Sequence, residues 1–176
     1  MSQNNILIAA RFAAQAHQGQ VRKYTGVPYI SHPSRIAGRM ASHDEATETR
    51  VMAAFLHDTI EDTWVTYDDI AVPFGECVAD MVGELTDPTS PGLGDAFKGV
   101  PRAQRKAAMR AAIAGASRGA RILKLLDRID NLREMPLTPP NKYIRMYLEE
   151  SRLLAEAIGD CDSQLKSELL ELCSLT

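Results

Sequence analysis

Apolar residues recur along this chain at intervals of three and four, with no convincing run of alternating β-branched residues, and that periodicity predicts helices throughout. Ile6, Leu7, Ala10, Ala13, Ala14 and His17 follow one helical face that stops at Gly19, a natural helix-ending residue. The next stretch, VRKYTGVPYISHP, is punctuated by Gly26 and Pro28 and reads as a loop, after which Pro33 suits the first position of a helix following Ser31 or His32. From Asp44 onward, EATETRVMAAFLHDTIEDT predicts one helix with an acidic first turn and a core stripe of Val51, Met52, Phe55, Leu56 and Ile60. Thr66 and Asp69 have the spacing of a capping box, opening a short helix that ends at Gly75, and another helix is expected from Glu76 to about Leu85.

The segment TDPTSPGLGDAFKG concentrates Pro, Gly, Ser and Thr and predicts a loop. After Pro101, RAQRKAAMRAAIAGA and GARILKLLDRIDNLREM read as two helices. Pro136, Pro139 and Pro140 then break the chain before a helix from about Asn141 to Ile158, and SQLKSELLELCSL closes the pattern. The expectation is an all-α bundle of about eight to ten helices, folded as a single domain over residues 1–176.

Composition narrows the class. With 45% hydrophobic and 24% charged residues the chain matches an ordinary globular protein, and no apolar run approaches the ~20 residues that span a bilayer. The N-terminus lacks a basic leader, so a cytoplasmic location without membrane attachment is expected. Cys77, Cys161 and Cys173 form no C-x-x-C pair, which disfavours a disulfide framework or thiolate zinc site and predicts buried free thiols.

Charge is segregated. Asp44 to Asp95 holds thirteen acidic residues against Arg50 alone, whereas Lys98 to Arg128 holds nine basic residues against Asp127 alone. Two readings stay open: a cation site facing an anion site, or two packed faces of opposite sign. A nucleic-acid surface is disfavoured because the basic stretch is short, lacks interleaved aromatics and belongs to a chain of net charge -3.

The densest chemistry is in FLHDTIEDT. On a helix His57 and Asp58 lie ~100° apart, with Glu61 and Asp62 one turn further on, so all four can face one cleft. One adjacent pair is too few ligands for a metal. His32 before a helix and Asp127 within another complete a set of two imidazoles and two carboxylates, which suits Mn²⁺, Fe²⁺ or a similar ion better than a closed zinc site. Taken singly, His32 also suits a loop or capping residue, and Asp127 an ion pair with Arg128.

Taken together, AARFAAQAHQGQVRK, GVPYISHPSRIA, AAFLHDTIEDT, FGECVADMVGELTD, PRAQRK and KLLDRIDNLRE resemble, in order, the HD-domain phosphohydrolases, and within them the hydrolase domain of RelA/SpoT homologues and the stand-alone small alarmone hydrolases. The match is strongest over residues 9–135. The resemblance implies that His32, His57, Asp58 and Asp127 bind Mn²⁺ and that Glu61 and Asp62 are the catalytic acidic pair. It further implies that Arg22 and Lys23 border the nucleotide base and that Asn131 contacts the nucleotide near the metal. Lys124, one turn before Asp127, can reach a phosphate or pair with an acid, and Tyr147 either lines the pocket or packs as a core aromatic. The implied reaction is hydrolysis of the 3′-pyrophosphate of guanosine tetra- or pentaphosphate to GDP or GTP, in a chain too short for the synthetase and regulatory domains of the long homologues. The alternatives are another HD nucleotide phosphohydrolase, acting on adenosine alarmones or on NADPH, and a nucleotide-binding module without turnover. No residue pattern reads out a homo-oligomer.

Two features depart from the family pattern. Leu126 replaces a frequent Ala, and Asp130 stands where His or Tyr is common; an added carboxylate repels polyphosphate unless it points away or pairs with Arg128 or Arg133. The loop Asp87–Gly99 also exceeds that of compact members.

Overall fold

Leu123, Leu125, Leu126, Ile129 and Leu132 are almost sealed from solvent, because the helix that carries them, α8 (Arg118–Glu134), is buried continuously from Ile122 to Asp130. In the computed structural model, which describes residues 4–90, 96–136 and 141–174, this helix forms the axis of an all-α bundle. Around it lie α1 (Asn4–Ala16), α2 (Ser31–Ala41), α3 (Glu48–Leu56), the single-turn α4 (Thr59–Asp62), α5 (Tyr67–Phe74), α6 (Glu76–Leu85), α7 (Arg102–Ala114), α9 (Lys142–Ile158) and α10 (Ser163–Leu172). A 3₁₀ turn, Gly159–Cys161, joins the last two. Helices α2, α3, α6, α7, α9 and α10 all touch α8, and one connected core runs through the bundle. KLLDRIDNL supplies the apolar face of this axial helix with Leu125, Leu126, Ile129 and Leu132, and buries Lys124, Asp127, Arg128 and Asp130 beside them.

Side-chain capping opens α3, α5, α8, α9 and α10. Thr47, Ser117, Asn141 and Asp162 accept from the backbone amides of Arg50, Ala120, Ile144 and Leu165, and Thr66 and Asp69 form the expected capping box. Gly75, at φ 92°, closes α5 and opens α6 in a conformation that a side chain would strain. Among the described residues no helix is long and apolar enough to cross a membrane. The sole β feature among them is a bridge between Val21 and Pro28 that pinches the loop after α1.

Several expectations need correction. The helix expected from Asp44 begins at Glu48, because Thr47 caps it, and it bends at His57–Asp58 instead of running through. There the Thr59 hydroxyl donates to the Leu56 carbonyl and His57 Nδ1 donates to the Ala54 carbonyl, side-chain bonds that compete with the helical ladder. On α1 the buried positions are Ala9, Ala13 and Ala16, while Leu7 is exposed, so the packed face is rotated from the one expected. Small alanines face inward there because α1 packs closely on α3. Cys161 and Cys173 are buried free thiols, but Cys77, in the first turn of α6, is exposed. Pro139 and Pro140 lie outside the described residues.

Leu125→Ala, emptying a fully buried site on the axial helix, is expected to lower the unfolding free energy by about 2–5 kcal/mol in urea denaturation.

Candidate active site

The bend after α3 delivers the first ligand-type side chains. His57 is buried, and because a carbonyl can only accept, its 2.9 Å bond to Ala54 places the proton on Nδ1 and leaves Nε2 facing inward. Asp58 follows at once, its Oδ2 3.0 Å from His57 Nε2. From α2, the fully buried His32 brings its own Nε2 to 3.6 Å from Asp58 Oδ2 and 3.3 Å from Asp127 Oδ1, the latter carried by α8. Asp127 Oδ1 also lies 3.9 Å from His57 Nε2. Donor atoms of His32, His57 and Asp58 all fall within 4.8 Å of one another, a spacing that one cation can bridge.

Whether these residues fit a metal turns on the two imidazoles. Nε2 of both His32 and His57 is buried and makes no hydrogen bond. A buried polar atom without a partner carries a cost of about 1–3 kcal/mol, so two that converge on carboxylates mark a place built for a ligand. The electrostatics agree. Burial alone would lower His32, but the adjoining carboxylates of Asp127, Asp130 and Asp58 outweigh it and push the imidazolium up to about 11. His57 is likewise raised against the cost of burial by Asp58. Asp58 and Asp127 sit well below the ordinary carboxylate range: burial opposes ionisation, but the imidazoles overcome it for Asp58, and chiefly the Lys124 ammonium does so for Asp127. The cluster thus attracts positive charge, which a divalent ion supplies in one atom.

The acidic pair lies beside this cluster and its two members differ. Glu61 accepts from the Asp87 amide at 3.0 Å and from the Ser90 hydroxyl, so the start of the long loop clamps both of its oxygens. Asp62 instead shares the Tyr29 hydroxyl, which donates chiefly to Asp58 at 2.6 Å and lies 3.2 Å from Asp62. Burial raises both carboxyls above their ordinary range, more than their hydrogen bonds lower them. Asp87 is anchored in turn by Lys106 at 2.7 Å and by the Thr89 amide and hydroxyl.

Next to the acids opens a cavity of about 240 Å³ lined by Arg22, Lys23, Tyr24, Tyr29, Asn131 and Tyr147 among others. Arg22 lies 5.3 Å from the Tyr29 ring centre and is held by Glu134 at 2.6 Å and Asn131 at 2.7 Å. Asn131 donates to Asp127 at 2.6 Å, joining this cavity to the acidic cluster. Tyr147 is packed against Arg128 at 4.4 Å and stacks with Tyr143, so it is both a core aromatic and a cavity wall. Lys124 is buried with its ammonium 3.3 Å from Asp127, which favours the ion-pair alternative.

A family model described as HD domain matches residues 9–156. The chain belongs to the HD-domain family. A guanosine-3′,5′-bis(diphosphate) 3′-pyrophosphohydrolase, MESH1 of Xenopus tropicalis, is 37% identical over 148 residues, covering 82% of this chain and 77% of that protein. The protein of the same name from Mus musculus is 33% identical over 174 residues, with coverage of 95% and 92%. A solved structure described as a metazoan ortholog of SpoT that hydrolyzes ppGpp superposes with a TM-score of 0.83 at 26% identity, covering 98% of this HD-domain chain and 95% of the other.

At Asp130 one of the alternatives left open by the sequence holds, since the carboxylate points away from the cavity. It pairs neither with Arg128 nor with Arg133. Its carboxylate accepts from His32 Nδ1 at 2.6 Å and takes the Arg35 fork at 2.7 and 2.8 Å, which turns it away from the cavity side of the cluster. Burial opposes its charge, yet His32 and Arg35 hold its carboxyl at about 2. The signal was present in helical spacing, since Arg35 lies one turn after His32 and Asp130 one turn after Asp127. The partners could not be paired without knowing that α2 packs on α8. Glu134 was missed for the same reason, and Tyr29 and Ser90 because their partners Asp58, Asp62 and Glu61 are brought to them only by the folded chain. As to charge segregation, Lys106 pairs with Asp87 and Arg118 with Glu45, so part of the basic stretch neutralises the acidic one.

The Asp87 clamp has a pH signature. Burial would raise this carboxyl, but Lys106 and the Thr89 donors outweigh burial and hold it below its ordinary value. Its stabilisation is therefore complete above the unfolded value of about 4 and fades as pH falls through the folded one. Lys106→Met should cost about 1–3 kcal/mol at pH 7 and flatten the acid limb of a stability–pH profile measured by denaturant titration.

Proposed function

We propose that this chain is a metal-dependent phosphohydrolase that removes the 3′-pyrophosphate of guanosine tetra- or pentaphosphate, giving GDP or GTP and pyrophosphate. The observation that carries the reading is the convergence of two unpartnered imidazole nitrogens on Asp58 and Asp127 beside a buried acidic pair. The named activity of the MESH1 relatives, which match over most of the chain, supports the choice of substrate. On this reading His32, His57, Asp58 and Asp127 hold one ion, and the mixed nitrogen and oxygen set favours Mn²⁺. Such an ion neutralises phosphate charge and makes water acidic enough to ionise near neutral pH.

The protein's own groups supply the rest. Asp62 and Glu61 are the proton acceptors and donors within reach of the cluster, and their raised carboxyls keep proton exchange accessible nearer neutrality. Glu61, with both oxygens clamped by the Asp87–Ser90 turn, has the fixed orientation needed to hold a water; Asp62 shares the Tyr29 hydroxyl and has the freer oxygen for a proton. Arg22 presents a planar cation at the cavity wall, suited to stacking on a purine, and Lys23, Tyr24 and Tyr147 complete that wall. Asn131 spans the base cavity and the phosphate end, while Lys124 acts on phosphate through Asp127 and by its charge.

Purified protein with Mn²⁺ is expected to release pyrophosphate from ppGpp, followed by product analysis against ppApp, NADPH and 3′-phosphonucleotides. Metal-loaded protein that spares ppGpp but cleaves another member of the panel would refute the substrate assignment, and nucleotide binding with no product at all would favour a binding module. His57→Ala or Asp127→Ala should abolish stoichiometric Mn²⁺ in elemental analysis, and retained metal would refute the ligand set. Glu61→Gln should keep the metal and lose about 10²–10⁴-fold in kcat.

A further inference from the structure

Arg35 lies on the outer side of α2, its side chain 41% exposed, and among the described residues its guanidinium bonds only to Asp130 and Glu134. Exposed arginines on helices contribute little as a rule. This one joins two arms. On one side Asp130, 7% exposed, accepts from His32 Nδ1 at 2.6 Å, which keeps that proton outward and Nε2 aimed at the cluster. On the other, Glu134 is shared between Arg35 and Arg22 Nε, while Arg22 Nη2 donates to Asn131 and Asn131 donates to Asp127. The bonds run from His32 through Asp130, Arg35, Glu134, Arg22 and Asn131 to Asp127, and the circuit closes by proximity alone, Asp127 Oδ1 lying 3.3 Å from His32 Nε2 without a hydrogen bond.

We infer that Arg35 is a positioning residue that orients His32 through Asp130 and Arg22 through Glu134, so that affinity for the metal and for the nucleotide both depend on a side chain that touches neither. The inference rests on the metal-site reading above. A bidentate guanidinium holds a carboxylate in plane, and the carboxylate then fixes both the tautomer and the tilt of the imidazole it accepts from. Freed from Arg35, Asp130 can rotate away from His32, and Glu134 loses one of the two cations that align it with Arg22. His57 is oriented by the Ala54 carbonyl and stands outside the circuit, which provides an internal control.

The test uses the full chain with Arg35→Gln, Arg35→Lys and Asp130→Asn, each checked by thermal unfolding without metal. Mn²⁺ calorimetry should show affinity weaker by about 10- to 100-fold in Arg35→Gln and Asp130→Asn, with partial rescue in Arg35→Lys, which keeps the charge and loses the fork. The KM for ppGpp should rise in Arg35→Gln. Nitrogen-15 spectra of the histidine rings should show the His32 tautomer becoming mixed in both variants while that of His57 is unchanged. If the unsubstituted chain takes up no Mn²⁺, the metal-site reading fails and this inference with it. If it binds Mn²⁺ and both variants bind within about twofold with His32 unaltered, the inference alone is overturned.

Discussion

Two imidazoles buried in an all-α core, each with its outer nitrogen already committed, set the terms for everything around them. The Ala54 carbonyl takes one Nδ1 proton and the Asp130 carboxylate the other, so both inner nitrogens must face the same small volume. Carboxylates cannot be left in such a place without cations, and imidazoles cannot be left without partners. The bundle meets that demand by drawing on four segments at once: α2 for His32, the bend after α3 for His57 and Asp58, α4 for the acids, and α8 for Asp127. Hence the axial helix gives up part of its buried surface to charge, carrying Lys124, Asp127 and Asp130 toward the cluster.

Helical periodicity and capping chemistry made most of the fold legible. The pairs Thr66 with Asp69 and Gly75 with Glu76 mark boundaries where the structure has them, because these signals are local. The bend at His57–Asp58 was not legible, since nothing in an apolar run announces that a threonine hydroxyl and an imidazole will take two of its carbonyls. Site residues divide along the same line. HD and ED could be read as chemistry from adjacency, and His32 and Asp127 as candidates to complete a set. Arg35 and Glu134 read as ordinary helix-surface charges until α2 and α8 are packed together. Asp130, which looked like a liability for a polyphosphate site, is turned by that packing into the acceptor for an imidazole.

Segregated charge proves to be two things at once. Ion pairs such as Lys106 with Asp87 and Arg118 with Glu45 tie the basic half of the chain to the acidic half, as packed faces of opposite sign do. Lys124 goes further, because it is buried and its ammonium faces Asp127, with Asp58 and Glu61 also raising its affinity for a proton. One fixed positive charge thus belongs to the acidic cluster permanently, which reduces the charge an incoming cation must balance.

The clamp on Glu61 bears on how this fold can diverge. Both oxygens of that carboxylate are bonded to the Asp87–Ser90 turn, which follows directly on α6, so an inserted residue before Ser90 would displace those donors by up to about 3.5 Å. A change of length is therefore most disruptive at the first positions of this loop, whose register is tied to the Glu61 carboxylate.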